Sequence, residues 1–353
     1  MTAQLATRPA APQRTFAVGS FRLRVEPRAL TVAIVLLALS FVVLVISLTT
    51  GDYPISPIDV VRTLLGQGTT IQHFIVETLR LPRAILAMVV GAALGIGGAI
   101  FQSVSRNPLG SPDIVGFDTG AATGAVVVLL VLHGSQTATS FGALAGGVGT
   151  ALVVYLLAMK RGVQGYRLIL VGIGIAAMLE SVNSYLLTRA QVTEAQQAAV
   201  WLTGSLNGRG WEQVRPVAIA LVALVPLACY LGRGLRMLEL GDDTAGMLGV
   251  HAEGTRLASI VVGVGLAATA TAAAGPIGFV ALAAPQITRR LTRVPGPNVL
   301  VSAICGALLL SASDLIAQRA LPSTQLPVGI VTGVIGGVYL AWLLSHEWRR
   351  RSA

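Results

Sequence analysis

Carboxylates cluster in one polar stretch of an otherwise apolar sequence. Glu239, Asp242, Asp243 and Glu253 are four of the chain's 15 acidic residues. The pattern is typical of a short capped helix. Asp242 can accept hydrogen bonds from the free N–H groups of the first turn, and the negative charge of Asp243 suits the positive end of the helix dipole. Gly249 can end the helix in a left-handed conformation. A short amphipathic helix between two apolar segments is suited to docking a partner.

A second set of polar residues lies inside the apolar segments. Glu180 and Asn183 lie in the middle of one segment, and Asp314 lies towards the end of another. A carboxylate within a membrane is unfavourable and usually faces a bundle interior or a watery path. For Glu180 two interpretations stay open: a carboxyl that faces a translocation path or a partner subunit, and a carboxyl that is hydrogen-bonded inside the bundle.

Motifs for covalent or metal chemistry do not occur in the sequence. The only lysine, Lys160, is not part of a Walker A loop, so the chain cannot bind ATP by that route. There is no H-E-x-x-H or G-x-S-x-G motif, and the four histidines are scattered. Cys229 and Cys305 lie inside apolar runs and predict neither a disulfide framework nor a metal site. These observations disfavour a protease or a metalloenzyme.

The composition is that of a polytopic membrane protein. Hydrophobic residues make up 54% of the chain and charged residues only 11%, whereas a soluble domain has about 25% charged residues. The net charge of +10 does not indicate nucleic acid binding, because the basic residues separate apolar segments instead of clustering on one domain.

About 20 apolar residues span a bilayer as a helix, and on this measure the sequence predicts ten spans. They lie at residues 29–49, 84–104, 114–132, 138–158, 167–188, 213–232, 256–273, 277–292, 298–317 and 327–344, of which the eighth is short. We expect a disordered basic tail at residues 1–28, a membrane domain at residues 29–346 and a short tail at residues 347–353. The polar stretch, residues 238–255, connects the sixth and seventh spans.

The distribution of Lys and Arg predicts the orientation. With the N-terminus inside, 18 of the 25 basic residues lie on the inner side. Both termini and the polar stretch are then expected in the cytoplasm.

Five motifs in order along the chain resemble one transporter family. They are Leu79-Arg-Leu-Pro-Arg83, the run from Phe101 to Gly116 with Asn107-Pro-Leu-Gly-Ser-Pro-Asp113, the Leu240-Gly-Asp-Asp-Thr-Ala stretch with Leu248-Gly-Val, the run from Gly275 to Arg290, and Leu326-Pro-Val-Gly-Ile-Val-Thr332. From about residue 30 to residue 346 the chain resembles the FecCD-type permease subunits of ABC importers for iron-siderophore complexes, haem and vitamin B12.

The resemblance implies an all-α, ten-helix permease of the type II ABC importer class. It implies a second permease subunit, two cytoplasmic ATPase subunits that bind ATP and Mg, and an extracytoplasmic binding protein or lipoprotein. This chain itself would bind no cofactor and no metal. The acidic helix would be the element that couples to the ATPase, with these residues: Leu240, Gly241, Asp242, Asp243, Thr244, Ala245, Met247, Leu248, Gly249, Val250 and His251.

The resemblance also implies functional residues elsewhere. Arg80 and Arg83 correspond to docking points for the binding protein, although they could instead anchor the second span at lipid headgroups. Gln318 stands where members often carry Arg, with Arg319 beside it as a third docking candidate, and Gln325 replaces a family Glu. The fifth span resembles the helix that lines the pathway, so Glu180 and Asn183 are expected to face it.

The function expected from these features is import of a ferric siderophore across a bacterial cytoplasmic membrane. The forms of the Asn107–Asp113 and Ala281-Leu-Ala-Ala-Pro-Gln286 motifs resemble siderophore systems, in which a heterodimer of permeases is common and a homodimer is the alternative. Haem or vitamin B12 import on the same architecture stays open. A secondary transporter driven by an ion gradient, with Glu180 or Asp314 as the relay, is the rival class. No nucleic acid partner is expected.

Overall fold

Helices dominate the computed structural model, which describes residues 14–18, 21–159, 165–321 and 325–351. Within these residues the helices are α1 (Pro27–Thr49), α2 (Pro57–Leu64), α3 (Thr70–His73), α4 (Leu81–Ser105), α5 (Phe117–Leu130), α6 (Gln136–Ala158), α7 (Gly165–Arg189), α8 (Val192–Leu202), α9 (Trp211–Leu238), α10 (Asp242–Met247), α11 (Ala252–Ala274), α12 (Val280–Thr292), α13 (Val299–Arg319) and α14 (Val328–Arg351). A π-helical segment, Phe74–Arg80, joins α3 to α4.

Each of the ten predicted spans is a helix. Seven helical stretches are long and apolar enough to cross a membrane: α1, the continuous stretch Thr70–Ser105, α6, α7, α9, α11 and α13. Helix α5 and the first part of α14 are shorter apolar helices. Helix α12 has 13 residues and is the short eighth span that the sequence predicts. The chain is therefore a multi-pass membrane protein of the expected all-α class.

Helices α4 and α11 form the centre of the bundle. In the most apolar window of each, 78% and 72% of the residues are buried, whereas the value for α1 is only 11%. Helix α4 packs against α13, α11, α9 and α12, while α5 packs against α6 and α7. Helix α1 lies at the periphery, where most of its apolar surface is exposed as it would be to lipid.

Small residues allow the backbones of α4 and α13 to touch. A Cβ atom on Gly306 would clash with the carbonyl oxygen of Gly91, and a Cβ atom on Gly91 would clash with that of Gly306. Helices pack this closely in lipid because dispersion contacts and interhelical hydrogen bonds replace the hydrophobic driving force. Gly124 and Gly142 form a similar approach between α5 and α6.

A break between α11 and α12 leaves irregular backbone inside the bundle. Gly275 and Phe279 flank the break, and both have a positive φ, of 77° and 69°. The freed groups find partners within the protein, as buried backbone must. The Ser205 N–H donates to the Ala274 carbonyl at 2.8 Å, and the Phe279 N–H donates to Asp113 Oδ2 at 3.3 Å. The break thus brings the loop before α5 next to the start of α12.

The two predicted tails contain regular structure. Strands β1 (Arg14–Val18) and β2 (Phe21–Val25) pair antiparallel, with Arg14 opposite Val25, which differs from the disorder expected for residues 1–28. At the other end α14 continues to Arg351, through most of the tail predicted at residues 347–353. Residues 1–13, 19–20, 160–164, 322–324 and 352–353 lie outside the described residues.

The contact between α4 and α13 yields a prediction. We expect Gly306→Leu to lower the stability of the purified protein by about 3 kcal/mol, the upper end for overpacking, because the new side chain meets backbone that cannot rotate away. Thermal unfolding in detergent measures this effect. Gly149→Leu on α6 is the matched control, since a Cβ atom there meets open space. Equal unfolding temperatures for the two variants would contradict the packing.

Candidate functional site

The candidate residues lie at the two ends of the bundle and in one cavity between the ends. One end, called here the α10 end, contains α10, the C-terminus of α4 and the N-terminus of α11. The opposite end contains the start of α4 and the end of α13. The polar stretch therefore lies far along α4 from the three arginines proposed for docking.

Helix α10 is a single short helix with defined ends. Its N-cap is Gly241, with φ at 116°, and the helix runs from Asp242 to Met247. At the other end the Val250 N–H donates to the Ala245 carbonyl at 2.9 Å, and the Gly249 N–H donates to the Gly246 carbonyl at 3.0 Å. This is a Schellman motif, and Gly249 has the left-handed conformation that the sequence predicts, with φ at 81°.

The sequence-based role of Asp242 as a helix cap is wrong. Gly241 occupies the cap position and no side chain caps the helix. Instead the Asp242 carboxylate accepts from Arg256 Nη2, which lies 2.9 Å from each oxygen, and also pairs with Arg106. Two arginines from neighbouring helices attract this carboxylate more strongly than the orphan N–H groups of its own first turn, because their hydrogen bonds are charge-assisted.

The ion pairs at Asp242 persist at neutral pH. Burial acts to raise the pKa of the Asp242 carboxyl, but the hydrogen bonds and positive charges of Arg256 and Arg106 outweigh burial and hold the pKa below its usual value. The carboxylate is therefore ionised. Nearby, Ser103 Oγ donates to Glu239 Oε1 at 2.6 Å, which adds a second link between α4 and the polar stretch.

The rest of the predicted coupling segment divides into buried and exposed positions. Ala245 is fully buried and packs inward. Met247, with 80% of its surface exposed, Leu248 and Leu240 point away from the bundle. Asp243 is also exposed, and no ion pair is found for it among the described residues. The apolar side predicted for α10 is thus mostly an outward surface.

The remaining positions of the predicted coupling segment are Gly241, Thr244 and Val250, which are half-buried, and Gly249 and His251, which are exposed.

At the opposite end Arg83 forms a buried ion pair with Asp314. Arg83 Nε lies 3.0 Å from Asp314 Oδ2, and Arg83 Nη2 lies 2.9 Å from Oδ1. The remaining Nη1 donates to Gln325 Oε1 at 2.8 Å, and Gln318 Nε2 donates to Asp314 Oδ2 at 2.7 Å. The Asp314 side chain is only 4% exposed. Both glutamines that depart from the family pattern therefore complete this network.

The other two docking candidates differ in their surroundings. Arg80 donates to the backbone carbonyls of Leu48 at 2.8 Å and Tyr53 at 2.6 Å, so it fixes the end of α1 and the loop after it. Arg319 is exposed. With Arg83, the two line a cavity of ≈ 280 Å³ at the opposite end. The docking role of the three arginines stays a prediction, and Arg319 is the one whose side chain is free to reach a partner.

The predicted pathway residues lie together in a cavity of ≈ 430 Å³ between α5, α7, the end of α8 and the break before α12. Glu180 and Asn183 lie one turn apart on α7 and both line this cavity. Their role in transport stays a prediction.

Two acidic residues of the cavity were missed by sequence reasoning. Asp113 and Asp118 line it from the loop before α5 and from the first turn of α5. Asp118 is buried and accepts from Thr271 Oγ1 at 3.0 Å. The usable signal was the position of Asp118 in an apolar segment, since an intramembrane carboxylate is rarely placed without a role.

The chemistry available at these sites is binding. In the part of the chain that the structure describes, no group of three or more His, Cys, Asp or Glu side chains is arranged to hold a metal ion. The α10 end offers an exposed acidic and apolar surface, the opposite end offers arginines, and the cavity offers hydrogen-bond acceptors.

Comparison with known proteins identifies the family. The FecCD transport family model matches residues 36–346. The ferric enterobactin transport system permease protein FepG of Escherichia coli (strain K12) is 43% identical over 93% of this chain and 99% of its own length. The Fe(3+)-citrate import system permease protein YfmE of Bacillus subtilis (strain 168) is 38% identical over 93% of this chain and 98% of its own. The iron(3+)-hydroxamate import system permease protein FhuG of the same organism is 37% identical over 90% and 97%.

A solved structure agrees with these relatives. It is described as an inward-facing conformation of a metal-chelate type ABC transporter, and it superposes with a TM-score of 0.80 at 27% identity, covering 90% of this chain and 99% of its own. Since the family model and the relatives span nearly the whole sequence, the chain belongs to the FecCD transport family.

Proposed function

We propose that this chain is the permease subunit of an ATP-driven ABC importer and that it carries a ferric siderophore into a bacterial cell across the cytoplasmic membrane. The names of the three relatives mention enterobactin, citrate and hydroxamate, each with iron. These ligands differ in chemistry and share only chelated iron(III), which supports a ferric chelate as the cargo. None of the three names mentions haem or vitamin B12.

We infer that the α10 end faces the cytoplasm. Arg106, Arg233, Arg236 and Arg256 lie at that end, where the excess of basic residues predicts the inner side. The start of α1 packs beside the end of α12, since Arg28 Nε donates to the Leu291 carbonyl at 2.7 Å. This supports a cytoplasmic location for the N-terminus, and α14 would end on the same side.

Helix α10 is the observation that carries the proposal of ATP coupling. A helix that transmits force must be fixed to its own subunit and must present a surface to the partner. Asp242 fixes α10 to α4 and α11 through Arg106 and Arg256. Met247, Leu248 and Asp243 present the surface.

A mechanism follows from this arrangement. Closure of two ATPase subunits would push α10, and the ion pairs would pass the movement to α4 and α11, the central helices. The cavity lined by Asp113, Asp118 and Glu180, called here the acidic cavity, lies between α7 and the break after α11, so movement of α11 would change its shape. ATP hydrolysis itself would take place on the ATPase subunits. We propose a second permease subunit, of a different sequence, across the translocation path.

The rival function is transport driven by an ion gradient, with a carboxylate relay. The ion pair of Asp314 with Arg83 makes Asp314 a poor relay, because its charge is already neutralised. Proteoliposomes that contain the assembled transporter and its binding protein separate the two functions. We expect uptake of radiolabelled ferric chelate to require ATP and to persist after an ionophore has collapsed the gradient. Uptake that follows the gradient without ATP would exclude the ABC mechanism.

The exposed carboxylate of Asp243 on α10 gives a testable prediction. We expect Asp243→Lys to weaken association with the ATPase about tenfold and to reduce ATP-driven uptake, because it reverses a charge on the surface that meets the partner. Copurification and uptake measure the effect. Glu212→Lys, which reverses an exposed charge at the start of α9, is the matched control. If both variants retain the ATPase equally, α10 is not the docking helix.

The Arg83–Asp314 ion pair gives a further testable prediction. Arg83→Ala leaves a buried carboxylate without its partner, so we expect a loss of about 3–5 kcal/mol in stability. The double variant Arg83→Met/Asp314→Leu should recover most of that loss. Arg319→Ala should leave the unfolding temperature unchanged and slow association of the binding protein at low salt. A normal unfolding temperature for Arg83→Ala together with slow association would instead make Arg83 the docking residue.

A further inference from the structure

The ionisable side chains found in the acidic cavity are all carboxylic acids. Asp113, Asp118 and Glu180 line it, and none of the described lysine, arginine or histidine residues does. The hydrogen-bond donors to the two aspartates are uncharged: the Thr271 hydroxyl donates to Asp118, and the Phe279 N–H donates to Asp113. Elsewhere in the chain the carboxylates of Asp242 and Asp314 are paired with arginines. Among the described residues, no positively charged side chain therefore lies beside these carboxyl groups.

A second, independent observation indicates that something binds there. Asn183 lines the same cavity and is only 6% exposed, yet its Oδ1 has no hydrogen-bond partner among the described residues. Asp113 Oδ1 is also buried, and no described residue donates a hydrogen bond to it. Buried acceptors are almost always satisfied, so two unsatisfied acceptors on residues that line one cavity require donors from water or from a ligand. A ligand that supplies donors to acceptors and to negative charge is itself cationic or neutral.

Ferric chelates differ in charge according to their iron-binding groups. A hydroxamate carries one negative charge, so three of them neutralise iron(III). A catecholate carries two, so a complex with three catecholates is strongly anionic. A hydroxamate chelate that also bears a free amine is positively charged at neutral pH, and its ammonium group is a hydrogen-bond donor.

We propose that this cavity selects the cargo by charge, and that the transported chelate is a ferric hydroxamate with a protonated amine. The ammonium group would bind between Glu180, Asn183 and the two aspartates during passage. The proposal rests on the function proposed above, since it names the cargo class of the same permease. Asp118 and Asn183 are buried and Glu180 is exposed, so charge beside the cavity is partly screened, and an anionic chelate would be repelled where a cationic one is attracted.

A series of three chelates isolates the effect of charge. A linear ferric trihydroxamate with a free amine, its N-acetyl derivative and its N-succinyl derivative have the same iron site and are cationic, neutral and anionic. The complete transporter, with its own binding protein, partner permease and ATPase, is expressed in iron-starved cells that lack other siderophore permeases. Maximal uptake rates are compared at saturating chelate. The affinity of each chelate for the binding protein is measured separately, so that a preference of the binding protein is not attributed to the permease.

We expect the maximal rate to fall from the amine to the acetyl to the succinyl derivative. Glu180→Gln should reduce the ratio of amine to succinyl rates about fivefold, the effect of one removed charge at partial screening. Glu180→Asp, which keeps the charge, should retain the ratio. Glu212→Gln removes an exposed carboxylate outside the cavity and should leave the ratio unchanged.

The outcomes separate this inference from the proposed function. Uptake of all three chelates at equal maximal rates, or a ratio in Glu180→Gln equal to that in Glu212→Gln, overturns selection by charge and leaves the permease function intact. Absence of ATP-dependent uptake for every ferric chelate, with the complex assembled, overturns both. Membrane abundance of each variant is measured by immunoblot, and rates are expressed per molecule.

Discussion

The ion pairs of Asp242 connect three elements that the fold would otherwise leave independent. Helix α10 has only six residues, and an isolated helix of that length does not hold a fixed position. Arg106 at the end of α4 and Arg256 in the first turns of α11 clamp it from two sides. Because α4 and α11 are the most buried helices, the surface of α10 moves with the centre of the bundle. Coupling to an ATPase would depend on that connection.

Hydrogen bonds and ion pairs between polar groups inside the bundle explain much of the remaining architecture. Gln102 on α4 donates to the Leu282 carbonyl at 3.0 Å and accepts from Arg289, which ties α4 to α12. Arg83 and Asp314 neutralise each other at the opposite end. The cavity beside α7 is the exception to this rule, since within the described part of the chain its carboxyl groups have no cationic partner and Asn183 Oδ1 has no hydrogen-bond partner. An intramembrane carboxyl group without a cationic partner is a candidate functional site.

The sequence predicted the helices well because apolar runs and charged turns are local signals. The ten spans, the short eighth helix and the left-handed Gly249 all follow from neighbouring residues. The partners of Asp242 did not, since Arg106 lies 136 positions away and nothing local favours it over the helix cap. The same holds for Arg83 and Asp314, which are 231 positions apart. Asp118 was overlooked because its neighbours in the cavity lie on other helices.

The most direct test of the central claim is a cross-link from α10 to the ATPase. Met247→Cys, in a background with Cys229→Ser, places one exposed thiol on α10, while Cys305 stays buried. With a short thiol-reactive photo-cross-linker attached to this cysteine in the assembled transporter, the account predicts a covalent product of this chain and the ATPase after irradiation. Leu132→Cys, exposed between α5 and α6 at the opposite end, should give none. Equal yields at the two positions, or no product from Met247→Cys in a complex that hydrolyses ATP, would contradict the account.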